Sequence, residues 1–143
     1  MTQQFILASE ADTAQLAQKI ASLNPMGSIW LSGDLGAGKT TFTRYLLQAL
    51  GHQGVVKSPT FTLVESYLLG DKPIYHCDLY RLLDPEELEL MGFFEYFDEP
   101  NSLLIIEWAS RAQAILPKPD VLIDIKKLDN ENRLVIIQGI NLE

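Results

Sequence analysis

The chain has 143 residues, a length that suits one domain (residues 1–143) with a real hydrophobic core. Hydrophobic residues make up 47% of it and no apolar run approaches the roughly 18 residues of a membrane span, so the composition predicts a globular protein that stays out of the membrane. The 19 acidic and 11 basic residues give a net charge of −8, which argues against a free-standing DNA- or RNA-binding protein, because such proteins display a basic face.

Two features of the sequence predict a cytoplasmic location. The first four residues, MTQQ, lack the basic start of a secretory signal. The single cysteine, Cys77, excludes a disulfide within the chain, so a reducing compartment is the default. No metal-ligand or nucleophile spacing surrounds Cys77, which favours a small buried side chain at this position.

The first predicted elements are a strand and a helix. Residues 5–8 form a short apolar run typical of a strand, and Ser9 with Asp12 has the spacing of a capping box. This box predicts a helix that ends at residues 24–27. Its side chains expected to face the core are Leu16, Ile20 and Leu23.

The next segment carries the most informative motif of the chain. Residues 28–32 are typical of a buried strand, and residues 33–41 read GDLGAGKTT, which matches the phosphate-binding pattern G-x-x-x-x-G-K-[ST]. Downstream, apolar residues recur with the spacing of a helix packed on a sheet, and Gly51 supplies a stop. These residues are Phe42, Tyr45, Leu46, Ala49 and Leu50. Strand, loop and helix therefore come in the order that the motif requires.

The residue types in this motif fit a nucleoside triphosphate. Gly33, Gly36 and Gly38 have no Cβ, so successive backbone N–H groups can turn toward phosphate oxygens at the positive end of the following helix. Lys39 is expected to neutralise the β- and γ-phosphates, and the Thr40 hydroxyl to be one ligand of a Mg²⁺ ion that bridges them.

A polar segment with a proline, residues 57–62, follows that helix. Nucleotide hydrolases carry switch loops that sense the γ-phosphate at this position, and Thr60 is the candidate sensor hydroxyl. A loop with threonines that simply enters a strand explains the segment equally well.

A hairpin and a short helix are predicted next. Residues 61–69 and 74–80 are β-rich runs separated by residues 70–73, which favours an antiparallel hairpin. Asp84 is then the expected N-cap of a helix with Pro85 at its first position, and Gly92 its stop.

Two acidic residues at strand ends are candidates for the chemistry. Glu107 directly follows the apolar run 103–106, as the acidic residue of a Walker B strand does, and it is expected to hold magnesium or to orient the attacking water. Asp78 ends the run 74–78 and can either position water near the metal or cap a turn. His76 lies two residues earlier on the same strand face, where a packed or hydrogen-bonded role is more common than catalysis.

The C-terminal part predicts a second hairpin. Residues 121–125 and 134–138 are alternating or apolar runs joined across residues 129–132. The adjacent Lys126 and Lys127 lie beside this turn, where a solvated sheet edge explains them best. The whole pattern predicts an α/β fold with antiparallel hairpin additions.

Taken together, these motifs resemble the TsaE family, also called YjeE. The resemblance spans residues 33–108, about half of the chain, and its blocks occur in the family order. The blocks are residues 33–41 (GDLGAGKTT), 58–65 (SPTFTLVE), 76–82 (HCDLYRL), 84–89 (DPEELE) and 106–108 (IEW).

The resemblance implies a three-layer P-loop NTPase fold with a mainly parallel central sheet. It also implies a bacterial cytoplasmic ATPase that uses ATP and Mg²⁺ and is needed to make N6-threonylcarbamoyladenosine at position 37 of tRNAs reading codons that start with A. Proteins of this family act with TsaD and TsaB and do not transfer the threonylcarbamoyl group themselves. Contact with tRNA would then be indirect, with no role for DNA or membrane.

The same resemblance assigns roles to residues of this chain. Lys39, Asp78 and Glu107 would be catalytic, and Thr40 and Glu107 would bind the metal. The nucleotide would be contacted by Leu35, Gly36, Ala37, Gly38, Lys39, Thr40 and Thr41, by Thr60 as a switch residue and by Trp108. The family also uses its first helix start and a C-terminal segment around the base, which points to Glu10 and Arg133.

Three other functional classes also use a phosphate-binding loop. A P-loop GTPase is disfavoured, because the sequence has no D-x-x-G and Lys127-Leu128-Asp129 is preceded by Lys126, not by Asn or Thr. A small-molecule kinase needs a lid or clustered arginines, and the arginines of this chain are widely spaced, although distant residues can converge. A module that binds nucleotide and a partner without significant hydrolysis also remains open.

Overall fold

One sheet of seven strands organises the part of the chain described by the computed structural model, residues 2–59 and 62–142. Its strands are β1 (Thr2–Leu7), β2 (Gly27–Ser32), β3 (Val64–Leu69), β4 (Lys72–Asp78), β5 (Leu103–Glu107), β6 (Val121–Lys127) and β7 (Arg133–Gln138). The helices are α1 (Glu10–Ser22), α2 (Lys39–Ala49) and α3 (Glu86–Leu90), with 3₁₀ turns at Phe93–Asp98 and Ala109–Ala112.

The sheet has a parallel centre and antiparallel edges, in the order β1-β7-β6-β2-β5-β4-β3. Strands β6, β2, β5 and β4 pair in parallel, whereas β3 pairs with β4, and β7 with β6 and β1, in antiparallel fashion. The predicted α/β fold with a parallel core and two hairpins is therefore confirmed. Because parallel strands end at one edge, β2, β4 and β5 deliver their last residues to the same crevice.

Helices pack on both faces of the sheet. On one face, α1 and α2 bury Leu16, Ile20 and Phe42 against apolar side chains of the central strands. On the other face, α3 and the 3₁₀ turns bury a second apolar cluster that includes Leu88 and Phe93. All five residues of β5 are buried, as its unbroken apolar run predicts for a strand covered on both faces.

The Ser9 cap is present at the start of α1, but the Asp12 side chain accepts from Ala8 and not from Ser9 as the predicted capping box requires. The Asp12 backbone N–H donates to Ser9 Oγ (3.3 Å), and the Ala8 backbone N–H donates to the Asp12 carboxylate (2.8 Å). At the start of α3 the predicted N-cap is wrong by one residue, because the helix begins at Glu86 with Pro85 as its N-cap. Asp84 lies one position earlier, and its Oδ1 still accepts from the Glu86 backbone N–H (3.0 Å).

Three further expectations about local structure need correction or lie outside the description. Leu23 is 48% exposed instead of facing the core, because α1 ends at Ser22 and Leu23 is its C-cap. The first hairpin turns over Gly70 and Asp71 alone, since Leu69 pairs with Lys72. Thr60, the predicted switch residue, lies outside the described residues. No described helix has the length and apolarity needed to span a membrane.

Candidate functional site

The phosphate-binding motif forms the loop between β2 and α2, at the carboxyl edge of the sheet. Gly36 and Gly38 have φ angles of 80° and 112°, which side chains rarely adopt. Gly33 has a φ of 148°, and a Cβ there would lie 2.4 Å from the carbonyl oxygen of Ile125 in β6. The glycines are therefore needed both for backbone conformation and for the close approach of the loop to β6.

The amino-terminal end of α2 suits an anion. Its N-cap, Gly38, makes no side-chain hydrogen bond to the helix, and its first turn contains no acidic residue. By contrast, α1 is capped by Ser9 and carries acidic residues in its first turn. The free N–H groups and positive dipole end of α2 thus remain for a ligand such as a phosphate group, and the residues present fit a triphosphate.

Lys39 is the buried cation of this loop, with only 6% of its surface exposed. Its Nζ donates to the carbonyl oxygen of Gly33 and lies 4.1 Å from the ring centroid of Trp108. Burial lowers the pKa of Lys39, and the nearby carboxylates of Glu107, Asp78 and Asp34 oppose this effect. An ammonium group held here is poorly hydrated, which favours its exchange of loop contacts for phosphate oxygens.

The two predicted catalytic acids are direct neighbours in the sheet. Asp78, the last residue of β4, pairs with Glu107, the last residue of β5, and Leu31 of β2 pairs with Glu107 on its other side. Asp78 is 9% and Glu107 2% exposed. The sheet therefore places both carboxylates beside the strand that leads into the phosphate loop.

Asp78 makes the turn-capping contact, one of the two roles that the sequence left open. Its Oδ1 accepts a hydrogen bond from the Tyr80 backbone N–H (2.9 Å), which is the turn-capping contact. Burial raises the pKa of Asp78 and the charge of Glu107 adds to this, whereas the Tyr80 N–H, His76 and Lys39 oppose it. A carboxyl group with a raised pKa beside a phosphate loop has the character of a functional acid.

His76 is a neighbour of this site that the sequence did not single out as functional. Its Nε2 lies 2.5 Å from Oε2 of Glu107, and both side chains are buried. The available signal was its spacing from Asp78, because residues two apart on a strand share a face.

Trp108 lies beside the loop in a conformation that side chains rarely adopt, with φ of 60°. Its ring packs against Tyr80 at 4.8 Å between centroids and faces Lys39, while the Arg111 guanidinium lies 5.8 Å away. Trp108 is half-buried, and its side chain both packs against the core and lies beside the phosphate loop.

Glu10 and Arg133 lie on the other side of the loop and line a common cavity of about 170 Å³. Arg133 Nε donates to the carbonyl oxygen of Ala37 (2.8 Å), which ties β7 to the loop. Glu10 Oε1 accepts from Arg44 (3.0 Å) and from the Tyr45 hydroxyl (2.6 Å). Gly38 and Thr41 of the phosphate loop line the same cavity, so the structure brings both ends of the chain to it.

A larger cavity of about 680 Å³ lies along the outer side of the loop. It is lined by residues 32–37, by Trp30 and Trp108, and by side chains of β6 that include Asp124 and Lys126. Neither cavity is lined by Lys39, because its side chain contacts Gly33 and Trp108, which line the larger one.

The donor set for a metal is sparse. Within residues 2–59 and 62–142, no three His, Cys, Asp or Glu side chains converge as a metal cage. Thr40 is exposed in the first turn of α2, and Glu107 lies at the end of β5. This set fits Mg²⁺, which is usually held by one or two protein oxygens together with substrate phosphates and water.

The sequence matches the family described as Threonylcarbamoyl adenosine biosynthesis protein TsaE over residues 7–135. The chain belongs to the TsaE family. It is similar to the tRNA threonylcarbamoyladenosine biosynthesis protein TsaE of Haemophilus influenzae, with 54% identity over 114 residues that cover 80% of this chain and 72% of that protein. The protein of the same description from Bacillus subtilis is 37% identical over 130 residues, covering 90% and 80%.

A solved structure agrees with this family membership. The crystal structure of YdiB from Bacillus subtilis superposes with a TM-score of 0.80 at 31% identity, covering 96% of this chain and 84% of that one. The TsaE match over residues 7–135 also includes Glu10 and Arg133, which lie outside the motif blocks that suggested the family.

Proposed function

We propose that this protein is a P-loop ATPase of the cytoplasm, required for forming the threonylcarbamoyl group on adenosine 37 of tRNAs that read codons starting with A. The observation that carries this proposal is the buried Lys39 at the uncapped start of α2, next to the strand ends that hold Asp78 and Glu107. The names of its relatives, tRNA threonylcarbamoyladenosine biosynthesis proteins, supply the pathway.

Each residue of the site has a role in this proposal. The loop N–H groups from Leu35 to Thr41 bind the phosphates of ATP, and Lys39 neutralises the charge that develops during transfer of the γ-phosphoryl group. Thr40 and Glu107 hold Mg²⁺, which neutralises phosphate charge when it is bound. Asp78 orients the attacking water, and the cavity between Glu10 and Arg133 receives the base.

The partners follow from the family and from the charge of the chain. We propose that ATP binding controls docking onto TsaD and TsaB, with Thr60 as the switch residue, and that hydrolysis releases the protein. The net charge of −8 supports contact with tRNA through this complex and not directly.

The two alternatives, a small-molecule kinase and a binding module, differ from this proposal in what happens to the γ-phosphate of ATP. A small-molecule kinase would transfer the phosphoryl group to an acceptor other than water, and a binding module would turn over little ATP even with partners present. ATP hydrolysis measured with and without TsaD and TsaB separates the three, because only the proposed ATPase releases phosphate in step with tRNA modification.

The proposal predicts that Lys39→Ala lowers ATP hydrolysis by roughly 10²-fold or more, because it removes the cation that stabilises the transferred phosphoryl group. The fold should survive, since burial already disfavours the charged form of Lys39 and the apolar face of α2 is left unchanged. In cells lacking their own TsaE, the variant should fail to restore the modified adenosine, scored by mass spectrometry of tRNA.

The matched control is Lys19→Ala, which removes an exposed lysine from the last turn of α1. It should hydrolyse ATP and restore the modification like the unchanged protein. If Lys39→Ala hydrolysed ATP as fast as the unchanged protein, the phosphate assignment would be rejected. If the unchanged protein hydrolysed ATP but did not restore the modified adenosine, only the pathway would be rejected.

A further inference from the structure

His76 and Glu107 meet diagonally across two parallel strands. His76 of β4 pairs with Ile105, and Asp78 pairs with Glu107, so His76 lies one step back from Glu107 on the same sheet face. Both side chains are closed off from solvent, with exposed fractions of 0% and 3%. Their contact is therefore a fixed feature of the interior, and α2 covers this face.

The hydrogen bond between them engages one carboxylate oxygen. Nε2 of His76 lies 2.5 Å from Oε2 of Glu107. A metal-binding carboxylate is deprotonated and only accepts hydrogen bonds, so in the metal site Nε2–H of His76 is the donor. Oε1 is then the oxygen of Glu107 that can serve a metal ion or a water molecule. A donor fixed in the sheet also restricts the rotamer of Glu107, because moving the carboxylate would break a buried hydrogen bond.

The other ring nitrogen of His76 argues against a purely structural role. Nδ1 is buried and has no hydrogen-bond partner among the described residues. A buried polar atom without a partner lowers stability, so a side chain selected only for packing would be apolar at this position. We therefore expect His76 to have a functional role that offsets the stability lost at Nδ1.

We propose that His76 is the positioning residue of the metal site, which fixes Glu107 so that Oε1 faces the ion held at the phosphate loop. This inference rests on the proposed binding of ATP with a metal. His76 touches neither the nucleotide nor the ion, and acts only through Glu107.

Two conservative variants separate the hydrogen bond from the bulk of the side chain. In His76→Gln the amide nitrogen reaches the position of Nε2, so the donor to Glu107 is kept. In His76→Asn the amide nitrogen lies near the position of Nδ1, so the donor is lost in a side chain that is still polar. Ile74→Ala, a buried position two residues earlier on the same face of β4, serves as the control for general loosening of the strand.

The measurement is Mn²⁺ binding to the full chain in the presence of a non-hydrolysable ATP analogue, followed by electron paramagnetic resonance, together with binding of the same analogue in EDTA. His76→Asn should weaken Mn²⁺ binding by roughly 10–100-fold, the usual effect of losing a group that orients a metal ligand. Metal-free binding of the analogue should stay unchanged, His76→Gln should restore Mn²⁺ binding, and Ile74→Ala should lower the melting temperature without changing the affinity for Mn²⁺.

Several results would overturn the inference. Equal Mn²⁺ affinity in His76→Asn and the unchanged protein would remove His76 from the metal site while leaving the ATPase proposal intact. If His76→Asn weakened binding of the ATP analogue equally with and without metal, His76 would have a structural role. The same would follow if the Asn and Gln variants lost equal affinity for Mn²⁺. Absence of Mn²⁺ binding in the unchanged protein would reject the metal site itself, and with it both proposals.

A measurement on the unchanged protein covers the case in which His76→Asn does not fold. Nitrogen-15 NMR should show a proton on Nε2 of His76 that is protected from exchange and shifts when Mg²⁺ is added to the nucleotide-bound protein. An Nε2 without a bound proton, or a signal that is insensitive to the ion, would contradict the assignment.

Discussion

At the scale of single residues, the site is built from charges that the fold buries against their preference. Lys39 is a buried cation with a lowered pKa, and Asp78 is a buried carboxyl with a raised pKa. Both shifts have burial as their largest cause, so each group would be more stable in water. Such groups are retained where they act on a ligand, and here both belong to one crevice at the carboxyl edge of the sheet.

Asp78→Asn should therefore stabilise the ligand-free protein at neutral pH. The pKa of Asp78 in the folded state lies above the ordinary value of 3.8, so the native state binds this proton more tightly than the unfolded chain does. The native state therefore loses stability as the pH rises from 3.8 through the higher folded-state pKa. Asparagine does not titrate and keeps the oxygen that accepts from Tyr80. Chemical denaturation at pH 7 should show a higher free energy of unfolding for Asp78→Asn than for the unchanged protein.

The gain should shrink as the pH falls toward 3, where Asp78 is protonated in both states. Asp129→Asn, an exposed position in the turn between β6 and β7, is the control and should change stability little at either pH. A loss of stability in Asp78→Asn at pH 7 would show that the carboxylate is a net stabilising group.

At the scale of elements, the phosphate loop is shaped by β6 as much as by its own glycines. Gly33 contacts the backbone of Ile125 so closely that no side chain fits, whereas Gly36 has open space around the position of a Cβ. The motif predicted that glycines are required, but it did not distinguish a residue needed for backbone conformation from one needed for close approach.

Gly33→Ala should consequently destabilise the protein more than Gly36→Ala. Both substitutions place a side chain at positive φ, a strain of about 1 kcal/mol, and Gly33→Ala adds a clash with the Ile125 carbonyl group that only a shift of backbone can relieve. Urea denaturation of the two variants is a matched comparison, because both lie in the same loop. Equal free energies of unfolding would contradict the close approach of the loop to β6.

At the scale of the whole molecule, the acidic surface and the paired lysines disfavour direct contact with RNA. Lys126 lies 3.8 Å from Asp124 and Lys127 lies 3.2 Å from Glu131, so the adjacent lysines are accompanied by carboxylates. The solvated-edge interpretation of this pair agrees with their exposure. In the proposed function, a partner therefore supplies the basic surface for tRNA.

The protein alone should therefore bind tRNA more weakly than roughly 10⁻⁴ M at physiological salt, the weak end of non-specific binding. Filter binding with purified tRNA measures this, and the double variant Lys126→Gln with Lys127→Gln should behave like the unchanged protein. Saturable micromolar binding that the double variant abolishes would identify this edge of the sheet as a tRNA contact.

Much of this molecule follows from features that are local in the sequence. Three features depend on residues within a few positions of one another, and each is found as predicted. They are the strand, loop and helix around residues 28–50, the Ser9 N-cap and the buried run of β5. Hydrogen bonds of caps and the periodicity of buried faces need no distant partner, so the sequence alone determines them.

Tertiary structure decided which of these residues meet. His76 and Glu107 are 31 positions apart and Arg133 and Ala37 are 96 apart, and only the pairing of β4 with β5, and of β7 with β6, brings them together. No local spacing encodes such contacts, because strand order depends on how all the buried faces are covered at once. The sequence alone therefore determined the phosphate loop, whereas the assembled sheet decided that a buried histidine would contact the acid beside it.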